Sequence, residues 1–263
     1  MEQVEVDGRR IALERRGSGP PLVLLHGLPG DSRMWVRQLD SLSDSFTVVA
    51  WDAPGCGRSS DLTEGAGTTD VARCLVGVIE QLDLGSPHVV GLSWGVGIAL
   101  EAYRLAPEVP RSLVLASGYA GWKGSLPAEM FEPRLEAYLR ASRTPKEERV
   151  RAWGPGFFSP SASQALIDEM LVMAADFHPE PLASYARSFA ETDLREVLPT
   201  IAVPTLVLQA GADDRAPAFV GEAMAAAIEG ARFEVLDGVG HVSNMEAPAA
   251  FDEAVRRFLS SLA

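Results

Sequence analysis

Ser93 stands between two glycines in HVVGLSWGVGIAL, where an apolar run gives way to a helical pattern. The stretch Gly91-Leu92-Ser93-Trp94-Gly95 has the spacing G-x-S-x-G. Where such a pattern closes a buried strand and opens a helix, the turn is sharp and the backbone crowded. Side chains two residues to either side of the serine would collide, so glycine is wanted at both places. Gly97 continues the close helix packing. The turn leaves an exposed hydroxyl at a helix N-terminus, where the local dipole favours developing negative charge. A serine hydroxyl alone is a poor nucleophile. It needs a base, and the base needs a partner that fixes its tautomer.

The chain has four histidines, His26, His88, His178 and His241. His88 begins the strand leading to Ser93 and is expected to be structural. His178 falls among prolines and acids in a helical stretch, where contact with a substrate is its one chemical option. His26 sits in LLHGLPG, just after an apolar run, and reads equally as a capped turn histidine. His241 lies in LDGVGHVSNMEAP, a glycine-rich loop between the last predicted strand and the last helix. A loop there reaches the carboxyl edge of the sheet, where open α/β sheets bind ligands. His241 is therefore the expected base.

The acid belongs between Ser93 and His241 in this chain order. LVLQAGADDRAPAF offers two neighbours there, Asp213 and Asp214. Adjacent residues in a loop do not generally face the same partner, so the other is solvated or caps the helix beginning near Pro217. Oxyanion donors are expected from the backbone N–H of Trp94 and from that of Leu28 in HGLPG. Gly27 and Gly30 let that backbone turn toward a substrate, and Pro29 stiffens it.

These groups need a scaffold, and apolar runs alternate with helical patterns to supply one. VEVDGRRIALER reads as two strands joined at Asp7-Gly8, a pair suited to a tight hairpin turn. PPLVLLHG, FTVVAW, HVVGLS and SLVLAS read as buried strands, with helices predicted over Arg33–Ser43, Asp70–Leu82 and Trp94–Leu105. That alternation implies right-handed crossovers and a mostly parallel sheet. From Tyr119 to Leu198 strand-like runs vanish, and EMFEPRLEAYLRAS, SQALIDEMLVMAA and PLASYARSFAE read as amphipathic helices. The alternation then resumes with PTLVLQAG, AFVGEAMAAAI, RFEVLD and PAAFDEAVRRFLSSL.

At 263 residues, 47% hydrophobic and 22% charged, the chain can bury a large core. A net charge of -13 should repel phosphate backbones and anionic membrane surfaces, so neither nucleic acid nor membrane is an expected partner. The N-terminal MEQVEVDGRRIALERR has no apolar core of a signal peptide. Cys56 and Cys74 fit reduced thiols in a cytoplasmic protein. Two cysteines and four scattered histidines show no metal-ligand spacing, so no cofactor is expected. A monomer or homodimer acting on a small molecule fits these features.

Taken together, HGLPGDSRMW, DAPGCGRSS, GLSWG, SLVLAS, PTLVLQAGADD and GVGHVSNMEAP give a chain that resembles the α/β-hydrolase superfamily over nearly its whole length. The resemblance implies the α/β-hydrolase fold, with helices on both faces of a mostly parallel sheet. It also implies a core over residues 1–118 and 199–263 and a helical cap, or lid, over 119–198. In that family the acid commonly stands three residues after the glycine ending its strand. This favours Asp214, three beyond Gly211. A proline usually lies four beyond the acid, and Pro217 is four beyond Asp213, which keeps Asp213 in contention.

A serine at the elbow speaks against haloalkane dehalogenases and epoxide hydrolases, which use aspartate. The HVSNMEAP tail and the length are similar to 3-oxoadipate enol-lactonases and small esterases. The implied activity is cleavage of a carboxylic ester or lactone of a small, largely apolar substrate through an acyl-enzyme on Ser93. Carbon–carbon hydrolases, cofactor-free haloperoxidases or perhydrolases, biosynthetic lyases or cyclases, and ligand receptors share the fold. The carbon–carbon hydrolases tend to carry a tryptophan shortly after the histidine, which VSNME lacks. Substrate selection falls to the cap and first loops. Trp122, just after SLVLAS, leads the candidates for an apolar wall, with Met34, Trp35 and Phe157 and also Met130, Phe131, Trp153 and Phe158.

Overall fold

Asp7 and Gly8 turn the chain back on itself with φ of 50° and 74°. Positive φ at both central residues is what a two-residue hairpin of the right twist demands. The turn pairs strand β1 (Glu2–Val6) antiparallel with β2 (Arg9–Arg16). In a computed structural model describing residues 1–146, 148–149 and 156–262, these strands open an eight-stranded sheet. The others are β3 (Pro21–Leu25), β4 (Thr47–Trp51), β5 (His88–Leu92), β6 (Ser112–Ala116), β7 (Thr205–Ala210) and β8 (Arg232–Leu236).

The strand order is β1-β2-β4-β3-β5-β6-β7-β8. β2 also pairs antiparallel with β4, and every pairing from β4 to β8 is parallel. All residues of β5, β6 and β7 are buried, so both faces of the sheet centre are covered. β3 lies between β4 and β5, so the chain passes from β3 to β4 on one side and then crosses to β5 on the other. Crevices form at the carboxyl end of a sheet where the order reverses in this way. The loops after β3 and β5 carry Leu28 and Ser93 to that point.

Helices α1 (Val36–Ser41), α2 (Thr68–Gln81) and α3 (Trp94–Leu105) join the first strands. The segment expected to be one helix over Arg33–Ser43 is instead α1 with a short 3-10 turn at each end. Between β6 and β7 lie α4 (Trp122–Ser125), α5 (Ala128–Ser142), α6 (Gln164–Ala175) and α7 (Pro179–Glu191). Tyr185 of α7 stacks on Trp94 with ring centroids 5.3 Å apart, and Phe189 lies over Gly97. After β7 come α8 (Ala218–Ala227), α9 (Ser243–Glu246) and α10 (Pro248–Ser260). No helix among the described residues is long and apolar enough to cross a membrane.

Candidate active site

Ser93 follows β5 and precedes α3 with φ 55° and ψ -113°, a strained conformation for a residue with a side chain. Its N–H is held at 2.9 Å by the Ala116 carbonyl at the end of β6. The flanking glycines are explained by crowding. A Cβ on Gly91 would run into the Gly95 carbonyl, as the spacing predicts. One on Gly95 would strike the Leu25 carbonyl at the end of β3, a neighbour from elsewhere in the chain.

His241 Nε2 lies 2.7 Å from Ser93 Oγ, and Nδ1 lies 2.7 Å from Oδ2 of Asp213. A carboxylate only accepts, so Nδ1 carries the proton and Nε2 is left to accept from the serine hydroxyl. Both the His241 and Asp213 side chains are buried. The preference for Asp214 is therefore corrected: Asp213 faces the imidazole, and Asp214 is exposed. The cause is local. Oδ1 of Asp213 accepts the N–H groups of Arg215 and Ala216, each at 2.8 Å, which turns this carboxylate inward and its neighbour outward.

The His241 loop has a support that sequence reasoning missed. Glu246 in α9 accepts the N–H of Gly240 at 3.1 Å and that of Ser159 at 3.0 Å, and also the Ser159 hydroxyl. One carboxylate thus ties the backbone beside His241 to the inserted segment. Its residue lies inside the quoted HVSNMEAP motif. Phe157 and Tyr119 flank the imidazole, with ring centroids at 6.0 and 6.4 Å.

The loop after β3 passes close to Ser93, for a Cβ on Gly27 would lie 3.1 Å from the Ser93 Cβ. Neither the Leu28 nor the Trp94 N–H has a backbone acceptor among the described residues, so both donors are free for a ligand. His26 steadies the loop. Its Nε2 accepts the Ala53 N–H at 3.0 Å, which leaves Nδ1 to donate to the Gly27 carbonyl, also at 3.0 Å. Gly27 C=O and Leu28 N–H belong to one peptide group, so this bond polarises it in the direction that strengthens the donor. Burial holds the His26 pKa below its ordinary value.

The candidate wall residues separate. Phe157 reaches His241. Met34 is buried against Gly30 of the β3 loop. Trp122 is fixed between Tyr138 and Phe189, 5.6 and 5.7 Å away between ring centroids. Trp35 is corrected to a core residue: it is fully buried and packs on Phe251 of α10. Met130, Phe131 and Phe158 are partly buried against the core, and Trp153 lies outside the described residues. His88 bonds Ser112 Oγ at 2.7 Å within the sheet, and His178 pairs with Asp61. Cys56 and Cys74 are free and buried, and burial pushes the Cys74 thiol up to about 12. Among the described residues no three His, Cys, Asp or Glu groups form a cluster that could hold a metal.

Comparison with known proteins agrees with this architecture. Residues 22–254 match the alpha/beta hydrolase family. RutD of Azorhizobium caulinodans, named for carbamate hydrolysis, is 30% identical, over 95% of this chain and 94% of that protein. 3-Oxoadipate enol-lactonase 1 of Acinetobacter baylyi is 27% identical, over 97% and 95%. A thermophilic esterase from Thermogutta terrifontis superposes with a TM-score of 0.89 at 28% identity, covering 99% of each chain.

Proposed function

The chain belongs to the alpha/beta hydrolase family, and from that premise we propose that it cleaves a small carboxylic ester or lactone by acyl transfer through Ser93. The observation carrying this reading is the unbroken relay from Ser93 Oγ through both nitrogens of His241 to Asp213, with 2.7 Å at each step. In the first half-reaction His241 Nε2 takes the hydroxyl proton as Oγ attacks the carbonyl carbon. Asp213 stabilises the imidazolium that forms. The N–H groups of Leu28 and Trp94 receive the developing oxyanion. The imidazolium then gives its proton to the leaving oxygen, and the acyl group stays on Ser93. Water activated by His241 releases the acid and restores the hydroxyl.

Helices of residues 119–198 act as a cap in this reading. Phe157 and Met34 line the acyl pocket, Trp122 backs it, and core residues 1–118 and 199–263 hold the machinery. The names of relatives support an acyl substrate, whether ester, lactone or carbamate, since each presents a carbonyl to the same nucleophile.

The test is a panel of 4-nitrophenyl esters and small lactones with wild type beside Ser93→Ala, together with fluorophosphonate labelling read by peptide mass. Turnover that Ser93→Ala abolishes, with label on the Ser93 peptide, is the expected result. Turnover that persists in Ser93→Ala, or label elsewhere, would overturn the proposal.

A further inference from the structure

Arg215 follows the acid loop by two residues, and its backbone is pinned on both sides. Its N–H donates to Asp213, while its carbonyl accepts from Tyr119 Oη and from Arg134 Nη1, each at 2.6 Å. Its side chain then runs toward the reacting groups. The guanidinium carbon lies 4.0 Å from the centroid of the Phe157 ring, the ring that flanks His241. Nη2 donates to Tyr138 Oη at 3.3 Å, and that hydroxyl donates to the Leu28 carbonyl at 3.0 Å. The cation is thus one aromatic ring from the imidazole and two hydrogen bonds from the candidate oxyanion loop.

Among the described residues this guanidinium has no counter-charge. Acidic residues outnumber basic ones 36 to 23, and Arg33 and Arg37, partly buried in the same way, each hold a carboxylate. Arg215 has none among the described residues, and its Nε and Nη1 have no acceptor there. Asp214, its neighbour, makes no ion pair with it. Arg134 adds a second positive charge nearby and, among the described residues, also donates only to neutral oxygens, those of Tyr119, Arg215 and Asp214. A planar donor fork held open in this way matches the two oxygens of a carboxylate.

We infer that Arg215 binds a carboxylate of the substrate, so that the preferred ester or lactone is an anionic one whose acid group lies remote from the scissile carbonyl. This rests on the acyl-transfer reading and narrows it. Phe157 and Tyr138 hold the cation in place, and the apolar surface between it and His241 accepts the carbon chain joining the two ends. Arg215 is a specificity residue here and takes no part in proton transfer.

The test is a matched series. Mono-4-nitrophenyl succinate, glutarate and adipate are compared with 4-nitrophenyl butyrate, valerate and hexanoate, using wild type, Arg215→Gln and Arg215→Lys. The readout is the ratio of kcat/KM for each acid to that for its neutral counterpart, which a general loss of active protein does not move. At least one half-ester should be favoured about 10-fold or more. Arg215→Gln should cut that ratio about 10- to 100-fold, as loss of a charged hydrogen bond implies, and Arg215→Lys should restore part of it. Glutarate should also slow fluorophosphonate labelling of Ser93 in wild type and not in Arg215→Gln. Neutral esters turned over with no half-ester preference, a preference surviving Arg215→Gln, or equal glutarate protection in both proteins would overturn this inference alone. Absence of both turnover and Ser93 labelling would overturn it together with the acyl-transfer reading.

Discussion

Asp213 and His241 are joined by a 2.7 Å hydrogen bond, and the second oxygen of the same carboxylate is taken by two backbone N–H groups at 2.8 Å. Three bonds leave the carboxylate no alternative orientation. The imidazole is thereby held with its proton on Nδ1 and its lone pair toward Ser93, the tautomer a general base requires.

Replacing Asp213 with Asn should therefore cost about 10³- to 10⁴-fold in kcat, because an amide can donate to Nδ1 and so hold the wrong tautomer. Asp214→Asn should change kcat less than about 3-fold, since its side chain is exposed and makes no ion pair among the described residues. Steady-state kinetics of both variants on one ester decide the matter. A larger loss from Asp214→Asn would return the acid to that position.

Ser93 and His241 share one proton, so removing either should disable the same step. Each of Ser93→Ala and His241→Ala is expected to lower turnover by roughly 10⁴- to 10⁶-fold, and the double variant little further. Losses that multiply in the double variant would mean that the two residues act separately.

Glu246 secures the N–H groups of Gly240 and Ser159. Glu246→Ala leaves both donors without an acceptor and frees the loop bearing His241. Stability should fall by about 1–3 kcal/mol in urea unfolding, and kcat should fall about 10-fold with KM nearly unchanged. Glu246→Gln keeps one oxygen acceptor and should recover part of kcat. A stability loss with kcat intact would confine Glu246 to holding the fold.

The hairpin at Asp7-Gly8, the elbow at Ser93 and the base at His241 were legible because short-range rules decide each of them. A two-residue turn needs positive φ, a strand-to-helix turn needs flanking glycines, and one histidine lies in the loop after the last strand. The acid was not legible from the spacing after Gly211. Which of two adjacent carboxylates turns inward depends on the amides of Arg215 and Ala216 and on the Val239 carbonyl, which holds Ala212 N–H at 2.9 Å. Trp35 shows a second limit, because an apolar aromatic residue reads alike whether it meets a substrate or Phe251. Tyr119, Tyr138 and Phe189 reach the site from the segment between β6 and β7, whose approach to the sheet no local pattern encodes. Tyr119 left one clue: it stands three residues beyond the end of β6, the strand next to β5, in the loop that passes the elbow.

His26 is buried and neutral, with its pKa held below the ordinary value by loss of solvation. Its Nε2 is occupied by the Ala53 N–H, so protonation in the folded state would break that bond. As pH falls below about 6.5 the unfolded chain takes up a proton there that the folded protein refuses. This contribution to stability is fully present above that pH and is lost progressively as pH falls toward the folded-state pKa. His26→Gln removes the titration. Its stability at pH 7.5 should be lower than wild type, because two buried hydrogen bonds are disturbed, but its decline on acidification should be shallower. The difference in slope should reach at most about 1.4 kcal/mol per pH unit, the value for one proton. Urea unfolding at half-unit steps from pH 7.5 to 5.0 measures both slopes. Parallel slopes would mean that His26 takes up its proton without opposing the fold, and that the Ala53 bond yields easily.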